Sequence, residues 1–174
     1  MKGYKGTIFD LQTGLYALFN GAFNIDATKI AEVLRKGIIT TGVGKSGYVA
    51  RKVASTFATY GISSQFVHPT EGAHGEFGGV HKDIMPLVWF SASGKTPELE
   101  AIVRYFGAYI GITCCREPEL PSLHTIVIPD LKEDVPVIVP ALMQVVGDGL
   151  AREAAILNGW SPDDLKWTHP ANRT

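Results

Sequence analysis

The segment Gly42-Val43-Gly44-Lys45-Ser46-Gly47 combines closely spaced glycines, a lysine and a hydroxyl, a composition suited to holding an anion. A glycine turn that opens a helix points several backbone N–H groups at one spot, and a lysine there adds a full positive charge. A second segment, Ser91-Ala92-Ser93-Gly94-Lys95-Thr96, repeats the arrangement with more hydroxyls. A ligand with one phosphate and a polyol tail, a phosphosugar, suits the two together.

Each segment must be presented by a strand before it and a helix after it. The apolar pattern predicts helices over Ile8–Phe23 and Ala27–Leu34, the second with Asp26 as N-cap and closed by Gly37. Strand Gly37–Thr41, helix Tyr48–Tyr60, strand Ser64–Val67 and strand Met85–Phe90 follow. Helix Glu98–Gly107, strand Tyr109–Thr113, strand Thr125–Ile128 and a long helix from Val137 to Leu157 complete the chain. The strands are short continuous apolar runs rather than alternating ones, as in a parallel sheet covered on both faces. The expectation is a doubly wound α/β fold with a five-stranded parallel sheet, one domain over residues 1–174, with both turns at one sheet edge.

Composition narrows the function. The chain has 174 residues, 45% of them apolar, enough for one proper core. Sixteen basic against seventeen acidic residues leave a net charge of -1, so no basic field holds a nucleic acid or an anionic membrane. No apolar run approaches the roughly 20 residues of a membrane helix, and no signal-peptide pattern opens the chain, which predicts a cytoplasmic protein. The adjacent Cys114 and Cys115 cannot bridge the fold and are expected as reduced, buried thiols.

Spacing excludes two nucleotide readings. A P-loop needs a glycine where Ile39 stands, inside the expected strand. Gly42, Gly44 and Gly47 do match Gly-x-Gly-x-x-Gly, but the next strand ends at Val67-His68 with no carboxylate for a ribose. Ordinary N-capping by Ser93 or Thr96 and a solvated Lys45 are the plainer alternatives to a ligand site.

Three ordered motifs carry a resemblance to a known family: Gly42-Val43-Gly44-Lys45-Ser46-Gly47, His68-Pro69-Thr70-Glu71-Gly72-Ala73-His74-Gly75-Glu76 and Ser91 to Glu98. They resemble the signatures of the sugar isomerase (SIS) domain, within it most nearly the arabinose-5-phosphate isomerases of bacterial Kdo and lipopolysaccharide synthesis. The likeness continues through Gly147-Asp148-Gly149-Leu150-Ala151 to Trp167-Thr168-His169-Pro170.

The resemblance implies an aldose–ketose isomerase that interconverts arabinose 5-phosphate and ribulose 5-phosphate through an enediol, on a flavodoxin-like sheet. Lys45, Glu98, Glu133 and His169 match catalytic positions of the family, with Asp134 the alternative to Glu133. Gly44, Ser46, Ser91, Ser93 and Thr96 match its substrate-binding positions. Glu71 and His74 resemble an element that related isomerases insert into a neighbouring active site, which makes Glu71 a second candidate base, His74 a substrate contact, and a homo-oligomer, a dimer of dimers, the implied assembly. His68 resembles a metal-binding position, so a divalent metal ion is allowed for, while enediol chemistry requires no cofactor. The sequence departs from the family in having Lys95 where an acid is common, and an apolar Val135–Pro140 where the family is rich in threonine and serine. It also stops at Thr174, which leads us to expect no CBS modules. The alternatives are a non-catalytic phosphosugar sensor, from another class, and an isomerase acting on another sugar phosphate.

Overall fold

The computed structural model describes residues 4–19, 26–107, 109–128 and 135–169. Its elements run α1 (Tyr4–Phe19), α2 (Ala27–Leu34), β1 (Ile38–Gly42), α3 (Gly44–Thr59), β2 (Ser64–Phe66), α4 (Pro69–Ala73), β3 (Leu87–Phe90), α5 (Pro97–Val103), β4 (Tyr109–Thr113), β5 (His124–Val127), α6 (Val135–Leu157) and α7 (Leu165–Thr168). The five strands form one sheet in the order β2-β1-β3-β4-β5, and every pairing is parallel. No helix among the described residues is long and apolar enough to cross a membrane.

Burial explains the strand pattern. Every residue of β1 and β3 is buried, whereas the edge strands β2 and β5 are only partly covered. Alternate residues of β1 serve two separate cores. Ile38 joins Val88, Phe90 and Ile112 beneath α2, α3 and α6, and Ile39 joins Leu87 and Trp89 beneath α5. Thr40 is buried on the α3 side because its hydroxyl donates to the Ala50 carbonyl of α3 at 2.8 Å.

Several boundaries differ from the sequence expectation, each for a local reason. α1 starts at Tyr4 rather than Ile8, because packing of Leu11 against the α6 core outweighs the weak propensity of Gly6 and Thr7. α3 begins at Gly44 rather than Tyr48, so the anion-binding segment is itself the first turn of the helix. α5 ends at Val103, where tight backbone turns at Tyr105 and Phe106 bring the Phe106 ring against Phe77, 5.0 Å between centroids. His68–Glu76, which falls in none of the expected helices or strands, contains α4: Pro69 supplies a preset first helical residue and His68 caps it. Cys114 and Cys115 form no disulfide and are only partly buried, since β4 ends at Thr113 and the pair lies on the turn beyond.

The core tolerates little extra volume at its centre. A Cβ on Gly111 of β4 would stand 2.2 Å from Cζ2 of the fully buried Trp89, whose indole N–H is fixed by a bond to the Pro121 carbonyl. Gly111→Ala should therefore destabilise the protein by about 1–3 kcal/mol. Gly149 lies in α6 with open space around it, so Gly149→Ala should be neutral or stabilising by up to about 1 kcal/mol. Urea midpoints at constant slope test the contrast, and a wild-type midpoint for Gly111→Ala would mean that the indole yields.

Candidate active site

In the order β2-β1-β3-β4-β5 the chain leaves β1 toward one edge and returns to β3 on the other side. The strand ends at such a switch point border a crevice in which α/β proteins bind ligands. Gly42 of β1 pairs with Phe90 of β3, so Val43 and Ser91 are the next residues of two neighbouring strands. The two glycine- and hydroxyl-bearing turns therefore open side by side.

Close packing builds the first turn. A Cβ on Gly42 would stand 2.9 Å from the Ser46 carbonyl carbon, and one on Gly47 would stand 2.8 Å from the Gly42 oxygen. The first turn of α3 thus sits directly on the end of β1, and any side chain at either glycine would lift it off. Gly44 has φ +58°, which turns the chain into the helix. Val43 occupies the cap position and has no side-chain bond to give, so no capping group shields the first N–H groups of α3 from an anion.

The second turn is held by its own hydroxyls. Ser91 is buried, its Oγ lies 2.7 Å from Thr96 Oγ1, and the same oxygen accepts the Gly94 N–H at 3.0 Å. Ser93 Oγ accepts the Lys95 N–H at 3.3 Å. Thr96 stands at the cap of α5 yet makes no capping bond, because its hydroxyl turns to Ser91. Plain N-capping therefore does not account for Thr96.

The segment after β4 braces this turn. Cys114 N–H and the Thr113 hydroxyl both donate to the Ala92 carbonyl, and Leu120 N–H donates to the Gly94 carbonyl. Lys95 Nζ pairs with Glu119 at 2.6 Å. Hydrogen bonding by Glu119, then its charge, raises the Lys95 pKa above the ordinary lysine value. Lys95 is thus turned toward Glu119 on the outside of the turn.

The other expected residues that the structure describes lie on α3, at α4, on α5 and just beyond α7. Lys45 is exposed and lines an open groove of about 320 Å³ between α3 and α6, together with Tyr48, Pro136, Pro140 and Gln144. Glu98 is exposed in the first turn of α5. Glu71 and His74 are exposed at α4, which is seated on the Phe77 ring: a Cβ on Gly72 would stand 2.2 Å from Phe77 Cε2. His68 Nδ1 accepts the Thr70 N–H at 3.3 Å, so one ring nitrogen serves as the α4 cap. Among the described residues no group of at least three His, Cys, Asp or Glu side chains is placed to hold a metal ion. His169 is half-buried just beyond α7, its N–H donating to the Leu165 carbonyl and its Nδ1 3.3 Å from the Thr168 hydroxyl. Glu133 and Asp134 lie outside the described residues. Sequence reading missed Gln144 and the two prolines of the groove, although 136, 140 and 144 fall four apart on one helical face.

No family model matches the chain. An arabinose 5-phosphate isomerase KdsD of Pseudomonas aeruginosa is 32% identical over 83% of this chain and 48% of its own length. The chain spans about half the length of the curated relatives it matches. A candidate phosphosugar isomerase involved in capsule formation, from Bacteroides fragilis, superposes with a TM-score of 0.81 at 26% identity, covering 96% of this chain and 97% of that one. An Escherichia coli protein solved in complex with arabinose 5-phosphate superposes with a TM-score of 0.77 at 28% identity, covering 98% and 100%. The motifs, the sheet order and these likenesses agree: the chain has the fold and the ordered motifs of the sugar isomerase (SIS) domain family.

Proposed function

We propose that the protein is a phosphosugar aldose–ketose isomerase whose substrates are arabinose 5-phosphate and ribulose 5-phosphate. The observation that carries the reading is the register Gly42 to Phe90, which puts an uncapped helix start and a hydroxyl-rich turn next to each other at the switch point. The relatives named KdsD and the E. coli protein bound to arabinose 5-phosphate support the choice of sugar.

The phosphate sits between the turns, taking N–H groups from the first turn of α3 and hydroxyls from Ser46, Ser91, Ser93 and Thr96. Gly44 lets the backbone come close to it. With one end of the sugar fixed, the open-chain C1–C2 end is presented to the acid–base groups. A carboxylate takes the C2 proton of the aldose and returns it to C1, with Glu98, Glu133 and Glu71 as the candidates. His169 moves protons between the sugar oxygens, an imidazole being suited to that near neutral pH. Lys45 stabilises the negative charge of phosphate and enediolate. The step is an internal proton transfer that needs no oxidant or organic cofactor, and any divalent ion at His68 would be auxiliary to it. Glu71 and His74 act in the site of a neighbouring copy, in a homo-oligomer built as a dimer of dimers. Charged sugar phosphates place the reaction in the cytoplasm.

With arabinose 5-phosphate, the protein should produce ribulose 5-phosphate, and His169→Ala should lose about 100-fold or more of the turnover while still binding substrate. Binding without turnover by the unaltered protein would select the sensor reading instead. Ser93→Ala should chiefly raise KM, about 10-fold, since a contact to a non-reacting phosphate is largely uniform binding. Lys95→Ala should change KM less than about threefold, because Lys95 is engaged by Glu119. Steady-state kinetics check both, and a larger KM effect for Lys95→Ala would place its ammonium on the substrate.

A further inference from the structure

The segment Gly147-Asp148-Gly149 has no part in the chemistry above, yet it joins the two helices that border the Lys45 groove. A Cβ on Gly147 would stand 2.4 Å from Val53 Cγ2, so α6 and α3 touch at that point. One residue on, Asp148 accepts three bonds: from Lys52 Nζ at 2.5 Å, from Thr56 Oγ1 at 2.8 Å and from Gln144 Nε2 at 3.1 Å. Lys52 and Thr56 belong to α3, and Gln144 lines the groove with Lys45.

Helical spacing turns these contacts into a layout. Lys45, Val49, Lys52 and Thr56 lie on one face of α3, and Pro136, Pro140, Gln144 and Asp148 lie four apart on one face of α6. The groove lies between the two stripes from Lys45 and Pro136 to Gln144, and the Asp148 contacts continue the stripes one turn beyond it. The Asp148 side chain is 31% exposed and that of Lys52 51% exposed, so their pairing adds little to stability. What it does add is orientation. With one N–H of Gln144 Nε2 engaged by Asp148, the amide oxygen and the second N–H are the parts of that side chain left for the groove.

We infer that Asp148 is a positioning residue of the active site: by holding Lys52, Thr56 and Gln144 together it sets the spacing of α3 and α6, and with it the placement of Lys45 and Gln144 around the sugar. The inference rests on the isomerase reading for its effect on catalysis. It makes a separate claim about the helix start that does not depend on that reading.

The test uses Asp148→Asn, Lys52→Met, their combination and Lys52→Arg, with arabinose 5-phosphate as substrate. Each of Asp148→Asn and Lys52→Met should lower kcat by about 10- to 100-fold at nearly unchanged Tm, with KM within about threefold. The combined variant should fall no further than Asp148→Asn alone, because that change already weakens the Lys52 contact. Lys52→Arg should restore most of the rate. Unchanged kcat, or a loss that follows Tm alone, would overturn the inference. Amide hydrogen exchange without substrate supplies the independent readout: Asp148→Asn should speed exchange over residues 44–49 and leave β3 unchanged. If exchange there is unaltered, the positioning claim fails. If the unaltered protein does not turn over the sugar while exchange responds as stated, the isomerase reading fails and the positioning of the α3 start stands.

Discussion

The site depends on one constraint: β1 and β3 are neighbours in the sheet, while the connections that follow them depart to opposite sides. No crossover helix can cover both strand ends, and the crevice left there is bordered by backbone. At the end of β1 the glycines allow α3 to begin in contact with the strand, and Val43 leaves the helix start open to an acceptor. At the end of β3 the buried Ser91 hydroxyl ties the turn to Thr96 and Gly94. Both turns are held by the protein's own contacts, so little ordering cost attends binding there.

Charge is handled locally in this chain. A net charge of -1 gives no general field to attract a phosphate, so attraction must come from Lys45 and from the aligned N–H groups of α3. The second lysine of the turns, Lys95, is paired outward with Glu119, in a contact that also fastens the segment after β4 against the hydroxyl-rich turn. The same division appears on α3, where Lys45 lines the groove and Lys52 is engaged by Asp148. In each pair one cation is held by a carboxylate and the other is left for the site.

Much of this is legible in the sequence because glycine and hydroxyl spacing report backbone geometry directly. Five short apolar runs mark the parallel sheet, and the two turns fall at matching strand ends. The start of α3 is harder to read because Gly44, Lys45 and Ser46 carry no apolar period, although close packing on β1 makes them helical. α4 is hidden inside a polar stretch, where only Pro69 and the capping nitrogen of His68 reveal it. The partners of Asp148 are not legible in the sequence, although Asp148 itself falls within the Gly147–Ala151 motif. The network joins residues far apart in the chain, 96 positions between Lys52 and Asp148, and the packing of α6 on α3, with Gly147 against Val53, brings them together.

An NMR titration of backbone amides with arabinose 5-phosphate tests the central claim, that the two turns hold one phosphate between them. The account requires the largest saturable shifts at Gly44 to Gly47 and at Ser91 to Thr96, with a common dissociation constant for both segments. Shifts confined to other parts of the fold, or saturating at different concentrations in the two turns, would contradict it.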